Sequence, residues 1–124
     1  MTKTAIAVFS DPSAGEEALG RVFNAMVLAL ELQDRGETVE LAFQGAGSRW
    51  PAELIKEKHP ANALYRAVEP SIAGVCGACA DVFGATEGAK ATGLKLVRER
   101  AVPGTTGMLD LSRYLAEGYR LLVF

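Results

Sequence analysis

The sequence predicts an α/β fold: a three-layer α/β/α sandwich around a mostly parallel five-stranded sheet. Short β-prone segments alternate with helical ones along the whole chain, which is the pattern of consecutive βαβ units. A length of 124 residues suffices for one hydrophobic core. No repeat, linker or low-complexity segment divides the chain, so we expect a single domain over residues 1–124.

The first strand and helix form the clearest βα unit. Residues 4–9 are an unbroken β-prone run that ends at Ser10-Asp11-Pro12. Ser13 and Glu16 match the capping-box pattern and predict a helix start, and Gly36 predicts the helix end. Apolar residues recur at three- and four-residue spacing and give this helix one buried face: Leu19, Val22, Phe23, Met26, Val27 and Leu30.

The middle of the chain predicts a second strand and two short helices. Residues 38–43 alternate apolar and less apolar side chains, which favours a position near the edge of the sheet. Pro51 and Pro60 each suit a first helical position and split residues 51–68 into two helices. His59 lies at the break between them, where we expect a solvated side chain.

The second half of the chain predicts the remaining elements. One helix runs from residue 76 to about Ala91 and is loosened by Gly84 and Gly88, and a second covers residues 108–117 with Thr106 as its cap. Three apolar runs predict the third, fourth and fifth strands: residues 72–75, 94–97 and 119–124.

Loops that follow parallel strands meet at one edge of the sheet, and we expect the functional residues there. Four segments fall at this edge: Ser10–Ser13, Gln44–Trp50, Cys76–Cys79 and Arg98–Thr106. Trp50 fits two roles, as the wall of a pocket at this edge or as a packing or interface aromatic.

The most specific motif is Cys76-Gly77-Ala78-Cys79, which holds both cysteines of the chain. Backbone N–H groups at a strand-to-helix turn stabilise a thiolate, so the motif indicates reactive thiols. We expect Cys76 at the mouth of the turn and Cys79 pointing back towards the sheet or a neighbouring helix, with Gly77 supplying backbone freedom. The alternative reading is that both cysteines are buried packing residues.

Composition disfavours several classes of partner and site. Thirteen basic and fifteen acidic residues give a net charge of −2 without a basic stripe, so we expect no nucleic-acid partner. No apolar run is long enough for a signal peptide or a membrane span, so we expect no membrane partner and a cytoplasmic location with reduced thiols.

The motifs of common cofactors are missing as well. The first loop has neither a G-x-G-x-x-G pattern nor a Walker lysine, so we expect no cofactor. Cys76, Cys79 and His59 supply at most three ligands of the four that a closed structural metal site needs. A hydrolase would need a base beside its nucleophile, and the sequence does not place His59 there.

The cysteine turn after the third strand, Gly84 and the acidic start of the first helix together resemble the DsrE/DsrF-like family of small sulfur-relay proteins. The resemblance spans essentially the whole chain. It implies that Cys76 carries sulfur as a persulfide, and that Cys79 is the second cysteine of the family's C-G-x-C variant. Relay members often carry basic residues just before the glycine, where this chain has Val82 and Phe83.

The resemblance implies a cytoplasmic sulfur carrier that exchanges sulfur with a donor or acceptor protein and assembles into trimers or hexamers. Cys79 is then expected to tune or resolve the persulfide on Cys76, which places both cysteines in the catalytic role. The alternative is a non-catalytic assembly or small-ligand-binding module in which the cysteines are structural.

Overall fold

The computed structural model describes residues 2–124 and shows an α/β fold, as predicted. Its five strands are all parallel, and they are β1 (Lys3–Val8), β2 (Thr38–Phe43), β3 (Ile72–Cys76), β4 (Leu96–Val97) and β5 (Arg120–Val123). The α-helices are α1 (Glu16–Asp34), α2 (Trp50–Leu54), α3 (Asn62–Val68), α4 (Gly77–Val82), α5 (Thr86–Ala91) and α6 (Leu111–Ala116). The order across the sheet is β4-β3-β2-β1-β5.

Two apolar clusters lie against the sheet and differ in size. The larger cluster joins strand residues such as Ile6, Leu41 and Val75 to buried side chains of α1, α2, α3, α4 and α5. The smaller cluster consists of seven buried residues, which are Ala5, Ala42, Cys76, Cys79, Val97, Leu109 and Tyr114. Of the α-helices, only α4 and α6 contribute to it, through Cys79 and Tyr114, so this side is more thinly covered.

The predicted edge position of the second strand is wrong, because β2 is the central strand. The polar residue that prompted the prediction is Glu40, and its carboxylate is well partnered. It accepts hydrogen bonds from the Tyr114 hydroxyl at 2.8 Å and the Tyr119 hydroxyl at 2.9 Å. A hydrogen-bonded carboxylate is tolerated in a central strand, whereas an unpartnered one is not.

The predicted caps of two helices are also wrong. Helix α1 is preceded by Gly15, whose positive φ of 91° suits glycine, and no side chain caps it. Ser13 lies instead in a single 3₁₀ turn, where its N–H donates to the Asp11 carboxylate at 3.0 Å. The cap of α6 is Asp110, which accepts from the Arg113 N–H, and Thr106 lies outside that helix.

The breaks between the shorter helices follow the sequence prediction in part. Gly84 has a φ of 67° and lies between α4 and α5, so the interruption predicted there is confirmed. The segment 51–68 also forms two helices, but Pro60 precedes the second one rather than opening it. These breaks leave α4, the helix that carries Cys79, only six residues long.

Candidate functional site

Both cysteines lie where the carboxyl end of β3 meets α4, and both are free thiols. Cys76 is the last residue of the strand, and Cys79 lies in the first turn of the helix. Cys76 is 0 % exposed and Cys79 is 8 % exposed. The expectation that Cys76 lies at the mouth of the turn is therefore wrong, because the strand carries its side chain into the smaller apolar cluster.

Hydrogen bonds to Cys76 favour its ionised form. The Cys79 thiol beside it lowers the pKa of Cys76 to about 6, and the backbone N–H groups of Leu109 and Cys79 contribute to the same shift. Burial acts in the opposite direction but is outweighed. The pKa of Cys79 is raised, because its proton is held by the neighbouring Cys76 thiolate and because it is buried. The pair thus stabilises one shared negative charge, with the proton on Cys79.

Leu109 is a contributor that sequence reasoning missed. It lies after the loop 98–107, thirty residues beyond Cys79. No sequence motif marks a backbone N–H group, so only the folded chain brings this donor to Cys76.

Gln44, the first residue after β2, lies in a segment that was predicted at this edge, but sequence reasoning gave the residue no role of its own. The Cys79 sulfur also lies 3.7 Å from the Gln44 side-chain oxygen, within hydrogen-bonding range for a thiol whose proton is not directed at Cys76. The Gln44 side chain is buried, and its Nε2 has no hydrogen-bond partner among the described residues. A buried unpaired donor is costly, so a ligand group that accepted from it would gain a favourable hydrogen bond.

Gly77 is required by packing rather than by backbone freedom, because its φ is not positive. A Cβ at this position would lie 2.4 Å from Cγ and 2.8 Å from Cζ of Arg98, which passes directly over the turn. The predicted reason for this glycine is therefore wrong. The glycine lets an arginine side chain lie against the residue that follows Cys76.

Arg98 belongs to a polar clasp, formed by Arg98, Asp81, Thr86 and Thr106, that ties the loop 98–107 to α4. Arg98 donates to both carboxylate oxygens of Asp81, at 2.9 and 3.4 Å, and Thr106 bonds to both of these residues. The hydrogen bonds from Arg98, Thr106 and Thr86 hold the pKa of Asp81 well below its usual range. The Ala78 N–H also donates to the Gly107 carbonyl at 2.9 Å.

A pocket of about 630 Å³ opens beside Cys79. Cys79 and Gln44 are among its lining residues, and Cys76 is not. Most of the remaining lining is apolar and comes from three segments that meet at this edge of the sheet: Phe9, Ala78, Val82, Phe83, Val102, Met108, Leu109 and Leu111.

Trp50 and His59 lie at a different pocket, which Asp11 and Arg49 also line. Trp50 is buried, its Nε1 donates to the Ser10 carbonyl at 2.7 Å, and its ring meets His59 edge-on. It therefore fills both roles considered for it, packing residue and pocket wall. His59 Nδ1 accepts from the Ala61 N–H at 3.0 Å.

Within residues 2–124, no three histidine, cysteine, aspartate or glutamate side chains come together in a way that could hold a metal ion. No helix in the same range is long and apolar enough to cross a membrane.

The fold and the site define a class: a parallel α/β protein with a buried thiol pair at the carboxyl end of a sheet strand. Within that class, the chain belongs to the DsrE/DsrF-like family, whose model matches residues 3–124. The uncharacterized protein MJ0733 of Methanocaldococcus jannaschii is 28 % identical over 120 residues, which cover 97 % of this chain and 93 % of that protein.

A solved structure shares the fold. It is that of BT1422, a conserved protein of unknown function from Bacteroides thetaiotaomicron, and it superimposes with a TM-score of 0.60 at 20 % identity. The match covers 97 % of this chain and 94 % of that one.

Proposed function

We propose that the protein is a sulfur carrier that holds one sulfane sulfur as a persulfide on Cys76. The observation that carries the proposal is the placement of the buried Cys76 beside the Cys79 thiol and the backbone N–H groups of Cys79 and Leu109, which lowers its pKa. Membership of a sulfur-relay-type family supports the same chemistry.

The transfer step is a thiol exchange at sulfur. The Cys76 thiolate attacks the outer sulfur of a donor persulfide R–S–SH, a new S–S bond forms on Cys76, and the donor S–S bond breaks. The donor leaves as the thiolate R–S⁻, which takes the electron pair of the broken bond. The same N–H and S–H donors that stabilise the Cys76 thiolate are then in place to stabilise the Cys76 persulfide anion.

Cys79 acts as a hydrogen-bond donor to Cys76 and as a resolving thiol. Attack of Cys79 on the inner sulfur of the Cys76 persulfide forms a Cys76–Cys79 disulfide and releases the outer sulfur as HS⁻. In that step the two cysteines are oxidised and the sulfane sulfur is reduced to sulfide. An external dithiol is then needed to reduce the disulfide.

The test is loading with inorganic polysulfide followed by intact mass of the wild type, Cys76→Ser and Cys79→Ser. We expect one added sulfur on the wild type, none on Cys76→Ser, and a longer-lived added sulfur on Cys79→Ser because the resolving thiol is gone. Loading that is lost only in Cys79→Ser would reverse the two roles.

The second candidate function is a small-ligand-binding module with structural cysteines. It is favoured by the burial of both thiols among apolar side chains. Thiol reactivity towards methyl methanethiosulfonate, which transfers a methylthio group to a thiolate and releases methanesulfinate, separates the two functions. A carrier thiolate reacts quickly at neutral pH, and a packing thiol reacts slowly.

A further inference from the structure

The pocket beside Cys79 has the properties of a site for a small organic molecule. Its volume of about 630 Å³ lies within the range of roughly 300–1,000 Å³ common for such sites. Two exposed apolar side chains stand on its lining, Phe9 at 40 % and Val82 at 75 % exposed. Both belong to the same apolar lining, and exposed apolar side chains that share one groove mark a binding site more often than singly scattered ones do.

The burial of the thiols limits what can deliver sulfur to them. Cys76 has no exposed surface, and Cys79 shows only a small part of its own at the pocket. Thiols this deeply buried are reached more readily by a small molecule than by a persulfide on the surface of a folded partner. A small molecule that enters the pocket meets Cys79 first, and Cys76 lies three residues before it in the same turn.

One polar group in the lining is unused. Among residues 2–124, Nε2 of Gln44 is a buried donor without a hydrogen-bond partner, and the oxygen of the same amide lies 3.7 Å from the Cys79 sulfur. During sulfur transfer, negative charge develops on the sulfur that leaves the donor. A preplaced N–H group at that sulfur lowers the barrier to its departure.

From these observations we infer that the sulfur donor is a low-molecular-weight organic persulfide with an apolar body, bound in the pocket lined by Phe9, Val82 and Gln44. This inference rests on the proposed function and names its substrate class. The apolar body packs between Phe9 and Val82, and the Gln44 amide N–H faces the departing sulfur. The step is the exchange given above, so R–S⁻ is released into the pocket.

The experiment compares the rates of Cys76 loading from benzyl persulfide and from 2-hydroxyethyl persulfide. The two donors share the transferred sulfur and differ in the apolar body. Burial of a phenyl ring predicts loading from benzyl persulfide that is about tenfold faster at low concentration. Equal rates from the two donors would overturn the inference.

Phe9 and Phe23 supply a matched pair of variants, because their side chains are 40 % and 41 % exposed and only Phe9 lines this pocket. Phe9→Ala is expected to remove most of the preference for benzyl persulfide, and Phe23→Ala is expected to keep it. Gln44→Leu is expected to slow loading from both organic donors several-fold. An unchanged preference in Phe9→Ala contradicts the inference.

Inorganic polysulfide separates the inference from the proposed function. If polysulfide loads Cys76 but benzyl persulfide is no faster than 2-hydroxyethyl persulfide, the carrier function is retained and the assignment of the pocket as the donor site is wrong. If no donor loads sulfur onto Cys76, the carrier function is wrong.

The pocket is then tested by titration with benzyl methyl sulfide, which has no transferable sulfur. Binding that weakens in Phe9→Ala supports a small-molecule pocket, and the absence of binding contradicts it. A second copy of the chain in the pocket would make Phe9→Ala change the oligomeric state instead, which also overturns the inference.

Discussion

At the scale of single residues, the chemistry depends on one proton held between two sulfurs. In the proposed carrier, Cys79 keeps that proton and Cys76 is the thiolate, although Cys76 is the more deeply buried of the two. The partly exposed cysteine is therefore Cys79, whereas the cysteine with the lowered pKa is Cys76. This division explains how a buried thiol can be reactive while its neighbour meets the incoming molecule.

Removal of the Cys79 thiol is expected to raise the pKa of Cys76. The ultraviolet absorbance of the thiolate, followed against pH, should give a midpoint near 6 in the wild type. Cys79→Ala should move the midpoint up towards the ordinary thiol value, and Cys79→Ser should move it less because its hydroxyl still donates. A midpoint that is the same in all three proteins would contradict the shared-proton geometry.

The same ionisation makes stability depend on pH. Because the pKa of Cys76 is lower in the folded than in the unfolded chain, its contribution is complete above the unfolded pKa and is lost as pH falls through about 6. The free energy of unfolding should rise between pH 6 and 9 more steeply in the wild type than in Cys76→Ser. The extra slope for one ionising group is at most about 1.4 kcal/mol per pH unit, measurable by denaturant titration. Equal slopes would show that Cys76 has an ordinary pKa.

Gly77→Ala is expected to destabilise the protein by about 1–3 kcal/mol, because its Cβ collides with Arg98 over the cysteine turn. Gly20→Ala is the matched control. Gly20 lies inside α1, no atom lies within 4 Å of its added Cβ, and alanine favours the helix by up to about 1 kcal/mol. Thermal and denaturant unfolding should show a lower free energy of unfolding for Gly77→Ala and a higher one for Gly20→Ala. An unchanged free energy of unfolding in Gly77→Ala would contradict the close contact with Arg98.

At the scale of elements, the loop 98–107 is the part of the site that the sequence did not predict in detail. It was expected at the functional edge and is found there, but its roles come from tertiary contacts. It carries Arg98 over Gly77, accepts from the Ala78 N–H, and leads into Leu109, whose N–H lowers the pKa of Cys76. The clasp with Asp81 holds this loop to α4.

Asp81→Asn is expected to weaken the clasp and so act on Cys76 at a distance. With the charge and one of the two acceptor oxygens gone, Arg98 loses its ion pair, the loop loosens, and the Leu109 N–H moves away from the thiolate. The pKa of Cys76 should therefore rise, as read from thiolate absorbance. Glu17→Gln is the control, since Glu17 is an exposed carboxylate paired only with Arg21 on α1, and it should leave the midpoint unchanged.

At the scale of the whole molecule, the alternation of strands and helices was enough to predict the α/β class and the edge where the site lies. It was not enough to predict strand order. In the sequence, Glu40 favours a second strand near the sheet edge, whereas in the fold β2 is central and the hydroxyl groups of Tyr114 and Tyr119 donate to the Glu40 carboxylate. The motif located both cysteines, but not which of them is exposed. That detail depends on which face of the sheet the last residue of β3 points to.

The chain is expected to form a homo-oligomer, because its last strand leaves apolar groups uncovered. β5 is an edge strand, and Leu122 and Val123 on it are exposed. Light scattering at micromolar concentration should return a mass well above that of one chain. Val123→Lys should lower that mass, while Ala63→Lys, at an exposed site on α3, should not. A monomeric wild type would refute this expectation.

The central claim is that Cys76, the buried cysteine, carries the sulfur. Its most direct test is peptide mapping of the wild type by mass spectrometry after brief loading with polysulfide at neutral pH and trapping of all thiols with an alkylating agent. The account predicts one extra sulfur between Cys76 and its alkyl group, and none on Cys79. Extra sulfur on Cys79 alone, or on neither cysteine of a folded protein, would contradict it.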